Sequence, residues 1–221
     1  MISCNILFNS DSRPISVIII EEIINHFGES YSNATAEIIQ DSILLDADGV
    51  TFLKCTSRIL SNFGMTRNGI FHDDLQGTSL KCWEQIGPKL INIKNEIIDS
   101  HFSRDRYLLE INTQKREEII EKIWSMTKQI LPFTMSSSSY GLVGASKILF
   151  SVLPEIVLPV DNIQWKLLFK TVDFSDVLRF MVKDIQEWEA ITGVRLETLD
   201  KSRRLTTLPS VYNAAAMEMR P

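Results

Sequence analysis

The stretch from Thr113 to Leu131 has the pattern of a long amphipathic helix. Apolar side chains recur at helical spacing along one stripe, and the opposite face, between Lys115 and Lys122, carries charges of both signs. The stripe consists of Ile119, Ile120, Ile123, Trp124 and Ile130. A stripe of this kind must be buried against other elements, so the pattern predicts a packed core built around this helix.

Helix start and stop signals continue along most of the chain. A first helix is predicted with Ser12 or Asp11 as its cap, Pro14 in its first turn and Gly28 at its end. Later helices are predicted to begin near Thr78, Pro88 and Ser103, to span about 145–153, 162–170 and 176–192, and to begin again at Pro209. These signals predict an all-α or mostly α fold.

One short segment has a strand pattern instead. The apolar runs Ile43–Leu45 and Val50–Leu53 flank the residues 46–49, whose sequence is Asp-Ala-Asp-Gly. Asp and Gly are the residues that tight hairpin turns require, so the segment predicts a minor β-hairpin. The predicted fold is therefore a compact helical protein with this hairpin.

Length and composition set the size of the core and the class of protein. A chain of 221 residues with 44% apolar and 23% charged residues has the proportions of a packed globular protein. We expect a single helical domain over 1–221, with two lobes, about 1–112 and 113–221, as the alternative. We expect it to be a monomer.

Charge and cysteine usage bear on partners and location. The formal net charge of -5 argues against a protein that coats nucleic acid through a broad basic surface, although it permits a local basic groove. No apolar run approaches the roughly 20 residues of a membrane span, and the N-terminus lacks a signal-peptide pattern. Cys4, Cys55 and Cys82 are scattered, which predicts reduced thiols and a cytoplasmic location. We expect no metal ion and no cofactor.

Two segments in the second half of the chain carry the features most suggestive of chemistry. The first, residues 140–149, reads Tyr-Gly-Leu-Val-Gly-Ala-Ser-Lys-Ile-Leu and opens a helix. Backbone N–H groups at such a loop can bind a phosphate oxygen. The second, Leu-Pro-Val-Asp over 158–161, places Asp161 at the entrance of the next helix.

Together these segments resemble the helix-hairpin-helix DNA glycosylases over about 140–165. The family hairpin reads Leu-Pro-Gly-apolar-Gly-x-Lys-x-Ala, and its catalytic aspartate follows in a Pro-x-Asp segment. The resemblance implies an enzyme that flips a damaged or modified base out of DNA and hydrolyses its N-glycosidic bond, with Asp161 stabilising the cationic sugar. The residues expected at the DNA backbone are Gly141, Val143, Gly144, Ala145, Ser146 and Lys147, and those expected around the flipped base are Tyr140, Trp165, Phe133 and Trp124.

The resemblance also predicts the product. When the segments are aligned on Val143 and Gly144, the family's Schiff-base lysine falls on Ser146, and Lys147 lies one place later, about 100° farther round the helix. A hydroxyl cannot form an iminium. We therefore expect water as the nucleophile and an intact strand with an abasic site. The departures from the family pattern favour an unusual base, with modified phage DNA and antiviral defence as one setting.

A different class of function remains open. Asp161 is also a standard helix cap, so the chain would alternatively be a noncatalytic helical DNA-binding or protein-interaction module that uses its Gly-x-x-Gly loop only as a phosphate clamp. If the chain binds DNA, a basic cluster outside the loop is also expected to contact it. That cluster consists of Lys201, Arg203 and Arg204.

Overall fold

The computed structural model describes residues 6–27, 45–135, 141–201 and 207–218, and most of them are helical. In chain order the α-helices are α1 (17–27), α2 (Val50–Asn62), α3 (Ile70–Asp73), α4 (Leu75–Ile98), α5 (Tyr107–Glu110), α6 (Thr113–Thr134), α7 (Leu142–Val152), α8 (Phe174–Thr192) and α9 (Leu208–Glu218). Short 3-10 helices occupy Arg104–Arg106 and Leu196–Leu199, and a π-helix occupies Gln164–Phe169. Over these ranges the β pairing is one isolated bridge between Phe8 and Pro14. The prediction of a mostly helical fold is confirmed.

The predicted amphipathic helix is α6, and it lies at the centre of the fold. Asn112 caps it by accepting a hydrogen bond from Lys115 N at 2.9 Å. The helix continues through Pro132 to Thr134, past the predicted end at Leu131. Its apolar stripe, apart from the partly buried Trp124, is buried, and the helix packs against α4, α7 and α8. In turn, α7 packs against α2.

The predicted β-hairpin is wrong. Val50–Leu53, the expected second strand, is the first turn of α2. Asp48 Oδ1 accepts from Val50 N at 3.0 Å, and Asp46 Oδ2 accepts from Thr51 Oγ1 at 2.7 Å, so the two aspartates support a helix start. Beyond these four residues the apolar pattern has helical spacing, and α2 buries Phe52, Cys55, Thr56, Ile59 and Leu60.

Gly49 explains why the turn before α2 contains a glycine. Its φ of 78° lies in the left-handed region, and a Cβ there would lie 2.5 Å from Nε1 of Trp83. Both the backbone conformation and the close approach of the indole therefore require glycine.

Several helix boundaries differ from the predicted ones. Ser16, not Ser12 or Asp11, lies at the start of α1, where its Oγ accepts from Ile19 N at 3.4 Å. Asp74 caps α4, which runs without a break through Pro88. The region from 162 to Gly193 contains two helical elements, as predicted.

The buried apolar side chains form one cluster that runs from Ile6 to Ala216. It includes residues from both sides of position 112, so the two halves of the chain share this cluster. Burial of this shared apolar surface is the main favourable term for the fold.

A buried ion pair fixes the segment between α7 and the π-helix. Lys94 of α4 donates to Glu155 Oε1 at 2.7 Å and to Val152 O at 3.2 Å. The two charged side chains are 1% and 2% exposed, and burial lowers the pKa of Lys94 although Glu155 opposes this. Each charge is tolerated because the other is present.

Removing one partner of this pair should therefore be costly. We expect Lys94→Met to lower the free energy of unfolding by about 3–5 kcal/mol, because Glu155 is left buried and unpaired. The double variant Lys94→Met with Glu155→Leu should recover most of that loss. Urea denaturation of the three proteins measures both effects. A single variant as stable as the parent would contradict the argument.

A second buried charged group holds the beginning of the described chain. Asp184 of α8 is completely buried, and its Oδ2 accepts from Ile6 N at 2.8 Å and from Tyr212 OH at 2.9 Å. Its Oδ1 is buried without a hydrogen-bond partner. Burial raises the pKa of Asp184 to about 6, against the two hydrogen bonds, which lower it.

This carboxyl group should make stability depend on pH. A folded-state pKa above the ordinary value means that the folded protein binds the proton more tightly, so stability falls as pH rises from about 4 to about 6. Asp184→Asn keeps one acceptor oxygen and has no charge. We expect the parent to lose on the order of 3 kcal/mol relative to the variant over this interval, measured by urea denaturation at each pH. Parallel pH profiles would contradict it.

Candidate functional site

The segment that leads to Asp161 is held tightly by α7. After α7 the chain passes through a buried apolar stretch that ends at Val160. Ser146, completely buried in α7, accepts from Val160 N at 3.1 Å and donates to Val143 O at 3.1 Å. The backbone immediately before Asp161 is therefore fixed to the middle of α7.

Asp161 forms a reciprocal cap with Gln164. Its Oδ1 accepts from Gln164 N at 2.7 Å, and its own N–H donates to Gln164 Oε1 at 2.8 Å. The Gln164 amide then donates through Nε2 to Asn213 Oδ1 of α9 at 2.8 Å. This is a capping box, so Asp161 has the helix-capping role that its position predicted. The carboxylate is partly exposed and held in one orientation.

Lys147 lies close enough to Asp161 for their charges to interact. The lysine is 6% exposed, and its Nζ lies 3.5 Å from Met65 Sδ and 5.2 Å from the centre of the Phe63 ring. Burial lowers the pKa of Lys147 to about 8, and the negative charge of Asp161 opposes that shift. A buried amine whose lowered pKa is also influenced by a carboxylate is a candidate for a functional site.

These contacts bear on whether Ser146 or Lys147 is the reactive side chain of α7. The hydroxyl of Ser146 is engaged in two hydrogen bonds to the backbone, whereas the amine of Lys147 is surrounded by apolar groups near Asp161. The expectation that Lys147 lies about 100° round the helix from the reactive position rested on a register taken from a family pattern. The interaction between the two charges weighs against that expectation.

The other residues expected at the DNA backbone, in the segment 141–145, have packing roles. Gly141, Val143, Gly144 and Ala145 are all buried. Gly141 has a φ of 82°, and a Cβ there would lie 3.0 Å from Leu131 O of α6. These glycines allow α6 and α7 to approach closely, and this accounts for them without any phosphate.

Of the aromatic residues expected around a flipped base, the structure describes Trp165, Phe133 and Trp124, and no described contact brings these three together. Trp165 lies in the first turn of the π-helix that comes after Asp161 and is 4% exposed. Phe133 and Trp124 are partly buried on α6, where Lys128 Nζ lies 5.2 Å from the Trp124 ring. Tyr140 lies outside the described residues. The aromatic ring beside Lys147 is that of Phe63, which the sequence did not indicate.

The predicted basic cluster is described only at Lys201. This lysine is 71% exposed and forms an ion pair with Glu21 of α1. Arg203 and Arg204 lie outside the described residues. The ion pair offsets the one described positive charge of the cluster.

A cavity of about 650 Å³ lies apart from Asp161, between α6, α8 and the end of the π-helix. Apolar side chains and several charged ones line it, and Arg179 on its wall is held by Glu117 and Glu121 at the surface of α6. Neither Asp161 nor Lys147 lines this cavity.

Sequence reasoning missed two features of the site. Gln164 was readable, because Asp-x-x-Gln is the pattern of a capping box. The contact of Lys147 with Phe63 and Met65 joins residues more than 80 positions apart in the sequence. No local sequence pattern predicts such a contact.

The chain has no match among known protein families, curated proteins or solved structures.

Among the residues that the structure describes, no group of three or more His, Cys, Asp or Glu side chains is placed to hold a metal ion. In the same part of the chain, no helix is both long and apolar enough to cross a membrane.

Proposed function

We propose that this chain is a DNA glycosylase that breaks the N-glycosidic bond of a damaged or modified base. The observation that carries the proposal is the electrostatic interaction between two side chains, Lys147 and Asp161. One is a buried amine of lowered pKa, and the other is an oriented carboxylate, and the hydrogen bond from Val160 N to Ser146 Oγ fixes their two segments together.

Asp161 has the chemistry that bond cleavage at C1′ needs. As the base departs, positive charge develops on the deoxyribose, and a nearby carboxylate stabilises it. Gln164 and the start of the π-helix hold the carboxylate in place before the reaction begins. An oriented group loses less free energy to reorganisation than a mobile one.

Lys147 is the nucleophile in this proposal. Its Nζ lone pair forms a bond to C1′ while the C1′–N bond breaks. The base leaves with the electron pair of the C1′–N bond and takes up a proton, and the amine loses a proton. Opening of the sugar ring then gives a Schiff base. This step replaces the water attack that the sequence predicted. The burial of Lys147 against Met65 and Phe63, together with its lowered pKa, supports it, since only the neutral amine can attack.

A flipped base needs apolar or aromatic walls, and Phe63 and Met65 are the side chains that contact Lys147. Trp165, beside Asp161, is the wall residue we favour among those that the sequence suggested. We retain a modified base, such as one in phage DNA, as the substrate class and the cytoplasm as the location. Cys55 and Cys82 are free thiols, as such a location allows.

The direct test is release of a base from DNA. The purified protein is incubated with duplex and single-stranded DNA that carries assorted damaged and modified bases, and released bases are identified by mass spectrometry. We expect one modified base to be released. Failure to release any base from DNA that the protein binds would favour the noncatalytic module.

The capping box is the observation that favours that second candidate. A binding module needs Asp161 only as a helix cap, and the hydrogen bonds to Gln164 are sufficient to explain the residue in that role. A charge-removing substitution separates the two functions, because it preserves the cap and eliminates the carboxylate.

A further inference from the structure

The π-helix that follows Asp161 has an exposed surface of mixed apolar and basic character. Gln164, Trp165 and Phe169 face the interior. The exposed side chains, here called the π-helix surface, are Ile163, Lys166, Leu167, Lys170 and Val172. Lys166 and Leu167 lie within the helix, and Ile163 and Lys170 flank it at its two ends.

Large apolar side chains are concentrated on this surface. Ile163 is 43% exposed, Leu167 51% and Val172 67%. They account for three of the nine large exposed apolar side chains of the described residues, within a ten-residue stretch. Single exposed apolar residues need no explanation, but a group beside a site indicates an interaction surface.

The charges on this stretch have one sign. Between Asp161 and Asp173 the chain contains two lysines, Lys166 and Lys170, and no acidic residue, although the protein as a whole carries a net charge of -5. The surface therefore suits a polyanion better than most of the molecule does.

We propose that the π-helix surface is where duplex DNA docks, with Lys166 and Lys170 at phosphates and Leu167 and Ile163 against an opened base step. This inference rests on the proposed function, because Asp161 must lie at C1′ of the reacting nucleotide. The adjoining duplex then covers the residues next to Asp161. Apolar side chains are the groups that DNA-bending proteins insert at unstacked steps, and lysines at phosphates supply affinity.

A second copy of the chain is a less suitable occupant. In a two-fold dimer the same patch meets itself, which brings Lys166 and Lys170 of one copy towards the same lysines of the other. Like charges at a desolvated contact oppose association, whereas DNA phosphates attract them.

The docking test uses two pairs of charge-reversal variants with equal changes in net charge. Lys166→Glu with Lys170→Glu alters the π-helix surface, and Lys81→Glu with Lys122→Glu alters exposed lysines of α4 and α6. Affinity for a short duplex with one tetrahydrofuran abasic analogue is measured by fluorescence anisotropy over a range of salt concentrations. The first pair should weaken binding about tenfold or more and make the slope of log K against log salt shallower by about 1.8, which corresponds to two phosphate contacts. The control pair should change neither the affinity nor the salt slope.

The apolar side chains are tested separately. Leu167→Ser should reduce the preference for the abasic duplex over undamaged duplex without changing the salt slope, because it removes the wedge and no charge. Ile191→Ser, at a similarly exposed position on α8, is the matched control. Size-exclusion chromatography of each variant reports self-association.

The outcomes separate this inference from the proposed function. If both charge-reversal pairs weaken binding equally or neither does, or if Leu167→Ser changes the oligomeric state, the docking inference is overturned. If the parent protein binds no DNA, both proposals are overturned. If the first pair alone loses binding but the parent releases no base, the docking surface is supported and the glycosylase function fails.

Discussion

Asp161→Asn is expected to abolish base release while leaving the fold and DNA binding intact. Asn keeps an oxygen that can accept the hydrogen bond from Gln164 N, and it caps helices about as well as Asp. The free energy of unfolding should therefore change by less than about 1 kcal/mol. The negative charge is lost, and with it the stabilisation of the cationic sugar, so the rate of base release should fall by at least about 10²–10³-fold.

The chain offers a matched control for this substitution. Asp173 caps α8 by accepting from Ser175 N at 2.8 Å, so Asp173→Asn makes the same chemical change at another helix start. It should leave base release unchanged. Single-turnover release measured for the parent and both variants, with thermal unfolding of each, separates catalysis from capping. Release at the parental rate by Asp161→Asn would remove Asp161 from the mechanism. Equal loss of release in both variants would show that a change at either helix cap impairs the protein, and it would not support a catalytic role for Asp161.

Most helices were predictable because their signals are local. In α6 the apolar stripe and the polar residue before it are sufficient to place the element, and in α8 Gly193 marks the end. The error at Val50–Leu53 has the same origin. Four mostly apolar residues fit a strand or a helix turn, and only the following residues of α2, which packs against α7, decide between them.

The site was predictable only in part. Asp161 was identified from its position after Pro159 and before a helix, and the structure places it in a capping box at that helix start. The chemistry of Lys147 depends on its burial beneath Phe63 and Met65, which come from the loop between α2 and α3. A tertiary contact of this kind changes the pKa of a side chain without leaving a local pattern in the sequence.

Borohydride should trap a covalent adduct between Lys147 and DNA. At pH 7 an amine with a pKa of about 8 is neutral in roughly one molecule in ten, far more often than an ordinary lysine, so it is available to attack C1′. The yield of adduct should rise as pH increases towards 8, because the neutral fraction increases.

Lys147→Met is the variant that tests this attack. Met has a similar length and suits the apolar surroundings of Phe63 and Met65, so the protein should remain folded while trapping is lost completely. Lys122→Met, which removes an exposed lysine of α6 outside the π-helix surface, should leave trapping intact and serves as the control. Adducts are detected by denaturing gel electrophoresis and the attached residue by mass spectrometry. If Lys147→Met still releases the base and leaves an abasic site, water is the nucleophile, and the lowered pKa of Lys147 reflects burial alone.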